Sequence, residues 1–322
     1  MPKLAIGFIT YGESTAKYLP YFLPSLVKAA ERSEADYKIL AIDNTEEEDN
    51  ENARYIKNNF SDVDFERAGK NLGFARAYNK MINKAVRTGA EYFLTINPDT
   101  IINEDAIEKM VAAMDDARLG SVSPKIYCWD FERGNKINII DTVGLIKSAG
   151  LQFKDLGQGE NDVGQHDKAK IFGPSGAAAF YRVSALEKIK DKFGFFDERM
   201  FMYKEDCDLA YRLYLSGYKS RLAAKAIVYH NRTARAAGGG WVNAFKARKN
   251  KSKKIKEWSF LNQRIIYLKH WRSLTAKSKT VVIIREIATF AYVLLFEPFL
   301  LTQYWELFRF KKHVRHIFNF LQ

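Results

Sequence analysis

Carboxylates gather at two places in this chain where a strand or loop turns. One group is Glu205, Asp206 and Asp208 in Tyr203-Lys204-Glu205-Asp206-Cys207-Asp208-Leu209, shortly after Gly194-Phe195-Phe196-Asp197-Glu198. The other lies well upstream in Asn97-Pro98-Asp99-Thr100. Two separated acidic sites suit a division of labour. One holds a cation against a charged leaving group, and the other takes a proton from an incoming nucleophile. That is the chemistry of group transfer.

The elements that must position these groups follow from periodicity. Short apolar runs at Leu4–Thr10, Tyr37–Asp43, Val63–Arg67, Tyr92–Asn97 and Gly120–Ile126 read as strands. Amphipathic stretches at Ala16–Glu31, Asp49–Phe60, Phe74–Thr88 and Glu104–Ala117 read as helices, Pro20 and Pro24 disturbing the start of the first. The alternation predicts an α/β fold with a mostly parallel central sheet flanked by helices. In such sheets ligands collect beyond the carboxyl ends of the strands. Thr10-Tyr11, Asp43-Asn44, Asn71-Leu72-Gly73 and Asn97-Pro98-Asp99 all fall there. Residues 128–170 suggest a hairpin or small sheet extension. The run Phe172–Phe180 is small enough for close approach of a ligand or a neighbouring helix. Glu205–Gly217 reads as a helix, Arg221–Tyr229 as a strand leading to His230, and Gly238-Gly239-Gly240 as a hinge.

At 322 residues, with 47% apolar and 14% aromatic residues, the chain builds a sizeable core, and global disorder is excluded. The net charge of +13 is uneven. Residues 241–322 carry 17 Lys+Arg against 4 Asp+Glu, while the remainder balances. The excess belongs to an appendage, and no recognition motif accompanies it, so nucleic acid is not an expected partner. Cys128 and Cys207 have neither metal-ligand spacing nor a disulfide framework, which suits a reducing compartment.

Taken together, these motifs and their order resemble family-two inverting glycosyltransferases with the GT-A nucleotide-diphospho-sugar transferase fold, and among them a rhamnosyltransferase-like bacterial branch. They include Asn71-Leu72-Gly73-Phe74-Ala75-Arg76-Ala77-Tyr78-Asn79, Gly173-Pro174-Ser175-Gly176-Ala177 and His230, and the resemblance covers residues 3–232. It implies a catalytic domain over 1–235, with a nucleotide-sugar-binding half (1–127) and an acceptor half (128–235). A helical extension, membrane-associated or oligomerising, follows at 236–322.

The resemblance further implies that Thr10, Tyr11, Asp43, Asn44, Asn71, Gly73, Asn79, Asn97, Pro174, Ser175 and Gly176 bind the nucleotide-sugar. Asp43 would accept the imide N–H of a pyrimidine base. Asp99 and His230 would hold Mg2+ or Mn2+. Asn97 replaces an acidic residue usual in the family, which removes one anionic ligand, and Thr45 with Glu46–Asp49 replaces small hydroxylated residues after Asp43-Asn44. Asp206 would be the general base, with Glu205 orienting the acceptor.

Other roles suit the same residues: Asp43 and Asn71 as caps, Asn97-Pro98-Asp99 as a plain turn, His230 as structural, and Asp208 as a helix-surface carboxylate. The implied donor is dTDP-rhamnose or a UDP-sugar, and the acceptor a glycan or lipid-linked hydroxyl. Alternatives are transfer to polyprenyl phosphate and an inactive nucleotide-sugar-binding scaffold.

In the extension, residues 246–256 are basic. Ile287–Phe296, the longest uncharged piece before Pro298, would rise about 15 Å as a helix, too short to cross a bilayer alone. Basic flanks and the aromatics Trp258, Trp271, Tyr304 and Trp305 suit an anionic membrane surface on the cytoplasmic face. Burial against the catalytic domain or a homo-oligomeric contact suits the apolar segment equally.

Overall fold

The computed structural model describes Met1, residues 3–232, Arg248 and residues 251–318, with 310–318 by backbone alone. The Gly238-Gly239-Gly240 hinge, the 235/236 boundary, and residues 246, 247, 249 and 250 of the basic run lie outside the described residues.

The N-terminal half is a run of strand–helix crossovers. β1 (Lys3–Thr10) leads through α1 (Gly12–Ala16) and α2 (Leu19–Arg32) to β2 (Asp36–Asp43). Then come α3 (Glu51–Asn59), β3 (Asp64–Arg67), α4 (Gly73–Arg87) and β4 (Tyr92–Ile96). These strands pair in parallel in the order β3-β2-β1-β4, because each crossover helix carries the chain back to the end of the sheet where the previous strand began. Pro20 occupies the first turn of α2 and Pro24 lies inside it, yet the helix runs unbroken to Arg32.

The second half adds β5 (Thr100–Ile102), α5 (Ala106–Ala112), β6 (Leu119–Asp130), β7 (Asn135–Thr142), β8 (Leu145–Ser148) and β9 (Gln152–Asp155). It continues with β10 (Ala178–Arg182), α6 (Val183–Ile189), α7 (Glu205–Leu215) and β11 (Lys219–His230). The central sheet extends through β4-β10-β6-β11-β5, with β7 on β6, and β8-β9 form a separate hairpin. β10 was not foreseen as a strand. Its small residues Ala178 and Ala179 are fully buried between β4 and β6, to both of which it runs antiparallel.

One core lies between the sheet and α2 and α5, built on Leu19, Phe22, Leu26, Ile107 and Met110. The opposite face carries α4, α6 and α7 through Tyr78, Met81, Leu186, Leu209 and Leu213. The C-terminal extension forms α8 (Lys253–His270), α9 (Ala276–Phe296) and α10 (Leu301–Phe318). Its first helix does not stand apart. Ile265, Ile266 and Tyr267 pack with Met200, Cys207 and Tyr211 in a third core shared with α7. Among the described residues, no helix is long and apolar enough to cross a membrane.

Candidate active site

Thr10 and Asp43 are register partners at the carboxyl ends of β1 and β2, and both are buried. Asp43 Oδ1 accepts from Thr10 Oγ1 (2.9 Å), Thr45 Oγ1 (2.6 Å) and the Thr45 amide (3.2 Å). Its Oδ2 accepts from Asn50 Nδ2 (2.9 Å), while Asn50 caps α3 by accepting from the Ala53 amide. Asp43 thus organises the turn into α3, and Thr45, a departure from the family pattern, is one of its partners. Tyr11, which follows Thr10, is 48% exposed. Beside them Asn44 donates to the Gly73 carbonyl (3.3 Å), and its Oδ1 is buried without a protein partner.

Gly73 opens α4 with φ +73°, and Asn71 Oδ1 accepts its amide at 2.9 Å. A Cβ here would sit 2.5 Å from the Phe201 carbonyl oxygen, which already accepts from the Phe74 amide (2.8 Å). Only glycine permits that conformation and that approach. Asn79, another expected donor-binding residue, is engaged within the protein. It is buried, it donates to the Phe196 carbonyl (2.8 Å) and Glu198 Oε1 (3.1 Å), and it accepts from the Phe196 amide (2.8 Å). Its amide is used up locking α4 to the Gly194–Glu198 loop, so it is a positioning residue.

The segments that carry Asp99 and Asp206 both contact the stretch just before β10. Asn97 donates its amide to the Ala177 carbonyl (2.9 Å), and the next residue back, Gly176, donates its amide to Asp206 Oδ2 (3.0 Å). Asp206 Oδ1 accepts from the Cys207 amide (2.8 Å), which leaves the carboxylate held but half-exposed. The buried phenol of Tyr78, donating to the Ile96 carbonyl (3.2 Å), senses both groups. Burial, Asp99 and Glu205 all raise its pKa. Tyr203 likewise feels Glu205 and Asp99. Pro174 and Ser175 are buried, and Gly173 lets the segment lie against α7, where a Cβ would come within 2.5 Å of Ala210 Cβ. The small-residue run therefore serves a helix at Gly173 and a site carboxylate at Gly176.

Glu205 is buried, and burial followed by the Asp206 charge pushes its pKa far up, with Oε2 unpartnered. Burial and the neighbouring Asp206 thus favour the neutral acid form of Glu205. The backbone leading into them is left-handed at two successive non-glycine residues, Tyr203 (φ 73°) and Lys204 (φ 68°). Asn262 of α8 donates to the Met202 (2.8 Å) and Tyr203 (2.7 Å) carbonyls, and the Trp258 ring lies 5.0 Å from that of Phe201. Trp258 is therefore an internal support rather than an interface aromatic. Tyr304 is similarly engaged, against Phe260 (5.3 Å) and Arg264 (3.3 Å).

His230 ends β11 with Nε2 3.3 Å from Asp99 Oδ2 and Nδ1 2.8 Å from Asp141 Oδ2. Burial would lower its pKa, but Asp99 and Asp141 outweigh that and push it up to about 10. Arg232 then bridges Asp141 Oδ1 (3.0 Å) and Asp155 Oδ2 (3.0 Å). Burial raises the Asp155 pKa, as do Asp141 and Asp206, against the pull of Arg232. Asp141, Asp155 and Arg232 were missed in the sequence. The signal was an aspartate closing the apolar run Ile139-Ile140 and an arginine two residues after His230, just beyond β11.

A divalent cation fits these residues in part. Asp141 fixes the His230 ring and leaves Nε2 toward Asp99, the usual way a carboxylate orients a metal-binding imidazole. Among the described residues no cluster of three His, Cys, Asp or Glu completes a metal site. The remaining positions would fall to ligand oxygens and water.

Asp208 overturns its expected place on the helix surface. It is fully buried, with Arg212 (2.9 Å), Lys269 (2.9 Å) and His270 (2.7 Å) around it. Burial would raise its pKa, but Arg212, Lys269 and the hydrogen bond from His270 hold it well below the carboxylate range.

The family model for glycosyl transferase family 2 matches residues 6–190. No curated protein sequence is significantly similar to the chain. Among solved structures, S. aureus TarS 1–349 is 15% identical with a TM-score of 0.48, covering 84% of this chain and 73% of that one. GalNAc-T7, solved with UDP, GalNAc and Mn2+, is 14% identical with a TM-score of 0.54, covering 89% of this chain and 54% of that one. The chain thus spans little more than half of GalNAc-T7.

Proposed function

From a chain that belongs to glycosyl transferase family 2 and is a glycosyltransferase with the GT-A fold, we propose an enzyme that moves a sugar from a pyrimidine nucleoside diphosphate to an acceptor hydroxyl with inversion. The hydroxyl oxygen attacks the anomeric carbon, its proton passes to Asp206, and the bond from that carbon to the diphosphate breaks, the diphosphate keeping the electron pair. No enzyme nucleophile is required.

The observation that carries this reading is the seating of Asp206 on the Gly176 amide, one residue from the Ala177 carbonyl that binds Asn97. It supports Asp99 and Asp206 as the two ends of one site. Thr10, Tyr11, Asp43 and Asn44 form the base slot, with Tyr11 offering a stacking face. Asn71 and Gly73 present the start of α4 to phosphate, where helix N–H groups favour an anion. Mg2+ or Mn2+ held by Asp99 and His230 would neutralise charge on the departing diphosphate. The Mn2+ and UDP bound to GalNAc-T7 support that choice of cofactor and a UDP- or dTDP-sugar donor. Glu205, neutral and buried, orients the acceptor side. dTDP-rhamnose is the first donor to try, and a glycan or lipid-linked hydroxyl on the cytoplasmic side is the proposed acceptor.

The test is a panel of nucleoside-diphosphate sugars, with and without Mg2+ or Mn2+, read first by thermal stabilisation and then by slow donor hydrolysis. A UDP- or dTDP-sugar should stabilise the chain more strongly with the metal than without it. A panel in which no pyrimidine donor stabilises or is hydrolysed overturns the reading.

A further inference from the structure

Helix α9 buries only Val282 and Val293 fully, yet most of its length is apolar. Ile284, Ile287, Leu295 and Phe296, with Trp305 and Phe308 of the next helix, are each at least 61% exposed. The ring of Phe290 meets Tyr304 at 5.8 Å, so α9 and α10 adjoin there. Monomeric proteins rarely leave such an apolar surface bare.

Its charge setting identifies the occupant. Of the four acids in residues 241–322, three are neutralised within the extension: Glu286 by Arg264 (3.0 Å), Glu297 by Lys256 (3.2 Å) and Arg248, and Glu306 by Arg309 (3.0 Å). The cations in this part of the chain greatly outnumber them. Near the start of α9, Lys279 lies 5.8 Å from the Trp271 ring. Beyond its end, Lys253 lies 5.1 Å from the Phe299 ring. Cations and aromatics bordering an exposed apolar stripe suit an interface in which anionic headgroups meet the cations and the stripe enters the acyl boundary. A second copy of the chain fits less well, because a two-fold contact would press two strongly basic surfaces together.

We propose that α9 and the adjoining turn of α10 form a docking face for a membrane surface rich in anionic lipid, with α9 lying flat and its exposed apolar stripe entering the headgroup boundary. Its 21 residues would reach about 31 Å, but Arg285 and Glu286 interrupt it and no described helix is apolar enough to cross a membrane, so α9 lies on the bilayer rather than through it. Because α8 joins this layer to α7 through Asp208, Lys269 and His270, docking would fix the catalytic helix relative to the membrane. The proposal does not depend on the identity of donor or acceptor.

The test is co-flotation of the full chain with vesicles of phosphatidylcholine alone and with added phosphatidylglycerol. The chain should float with the anionic vesicles, less so in high salt. The double variant I287E/L295E, altered only at solvent-facing positions, should partition roughly tenfold less or weaker while keeping the wild-type melting temperature. Sedimentation velocity runs alongside. A wild-type chain that ignores both vesicle types overturns the proposal. So does a wild-type dimer that the double variant dissociates while vesicle binding is unaffected.

Discussion

Asp208 Oδ1 and His270 Nε2 lie 2.7 Å apart, joining α7 to the last turn of α8. Lys269 beside it reaches Asp208 (2.9 Å), Asp197 (2.9 Å) and Asp191 (3.0 Å). Two residues of the C-terminal extension therefore gather three carboxylates around the loop that precedes Asp206. The extension is a structural partner of the site, not an attachment to it.

Asp208→Asn breaks a buried ion cluster and is expected to cost about 3–5 kcal/mol of stability near neutral pH. Its folded-state pKa is depressed, so this stability is fully present above the unfolded value of 3.8 and is lost as pH falls below it. Chemical denaturation of wild type and variant should show a gap that is constant from pH 5 to 7 and narrows in more acidic solution. A gap that widens as pH falls would be the wrong sign for a depressed carboxylate.

Gly73→Ala places a methyl group 2.5 Å from the Phe201 carbonyl at φ +73°. The left-handed conformation alone costs about 1–2 kcal/mol, and the carbonyl cannot retreat without losing the Phe74 amide. A lowered melting temperature and weakened donor binding should appear together. Wild-type stability in this variant would mean that the tight approach to Phe201 is not real.

Asn262→Ala removes two hydrogen bonds, each worth about 1 kcal/mol, from the left-handed Tyr203-Lys204 segment. Since Asn262 is placed to act through the backbone before Glu205, kcat should fall while the donor KM stays near wild type. Equal losses in kcat and stability, with recovery of both at lower temperature, would reduce Asn262 to a packing residue.

Much of this was legible because the N-terminal half obeys local rules. Four strands ending in Thr10, Asp43, Arg67 and Ile96, each with a polar turn beyond it, follow from period and punctuation alone. What stayed hidden depends on contacts remote in sequence. Ala178–Arg182 is a strand because β4 and β6 flank it, not because its residues favour one. Asn79 reads as a ligand contact until Phe196, 117 residues later, claims both ends of its amide. Asp208 looks like any helix-surface acid, since the lysine and histidine that surround it come 61 and 62 residues further on. The coupling of the basic extension to α7 was hidden for the same reason.

Asp206→Asn separates the proposed chemistry from its rivals. If Asp206 takes the acceptor proton, the variant should lose roughly 10²–10⁴-fold in transfer rate while binding donor as before. A phosphate acceptor, already anionic, would leave the variant active. An inactive scaffold would show donor binding and no transfer in either protein. The readouts are sugar transfer and donor affinity measured on the same preparations.

Asp141 tests the metal assignment without touching the metal's own ligands. Its Oδ2 fixes the His230 ring from the Nδ1 side at 2.8 Å, and its Oδ1 holds Arg232 at 3.0 Å. Asp141→Asn keeps the size of the side chain but removes the charge that orients the imidazole. Partners of this kind are worth about 10–100-fold in metal affinity. Mn2+ titration in the presence of UDP, followed by the paramagnetic signal of free Mn2+, should show a weakening of that order, whereas UDP binding without metal should change little. An unchanged Mn2+ affinity would detach His230 from the cation and leave Asp99 as the one protein ligand still proposed.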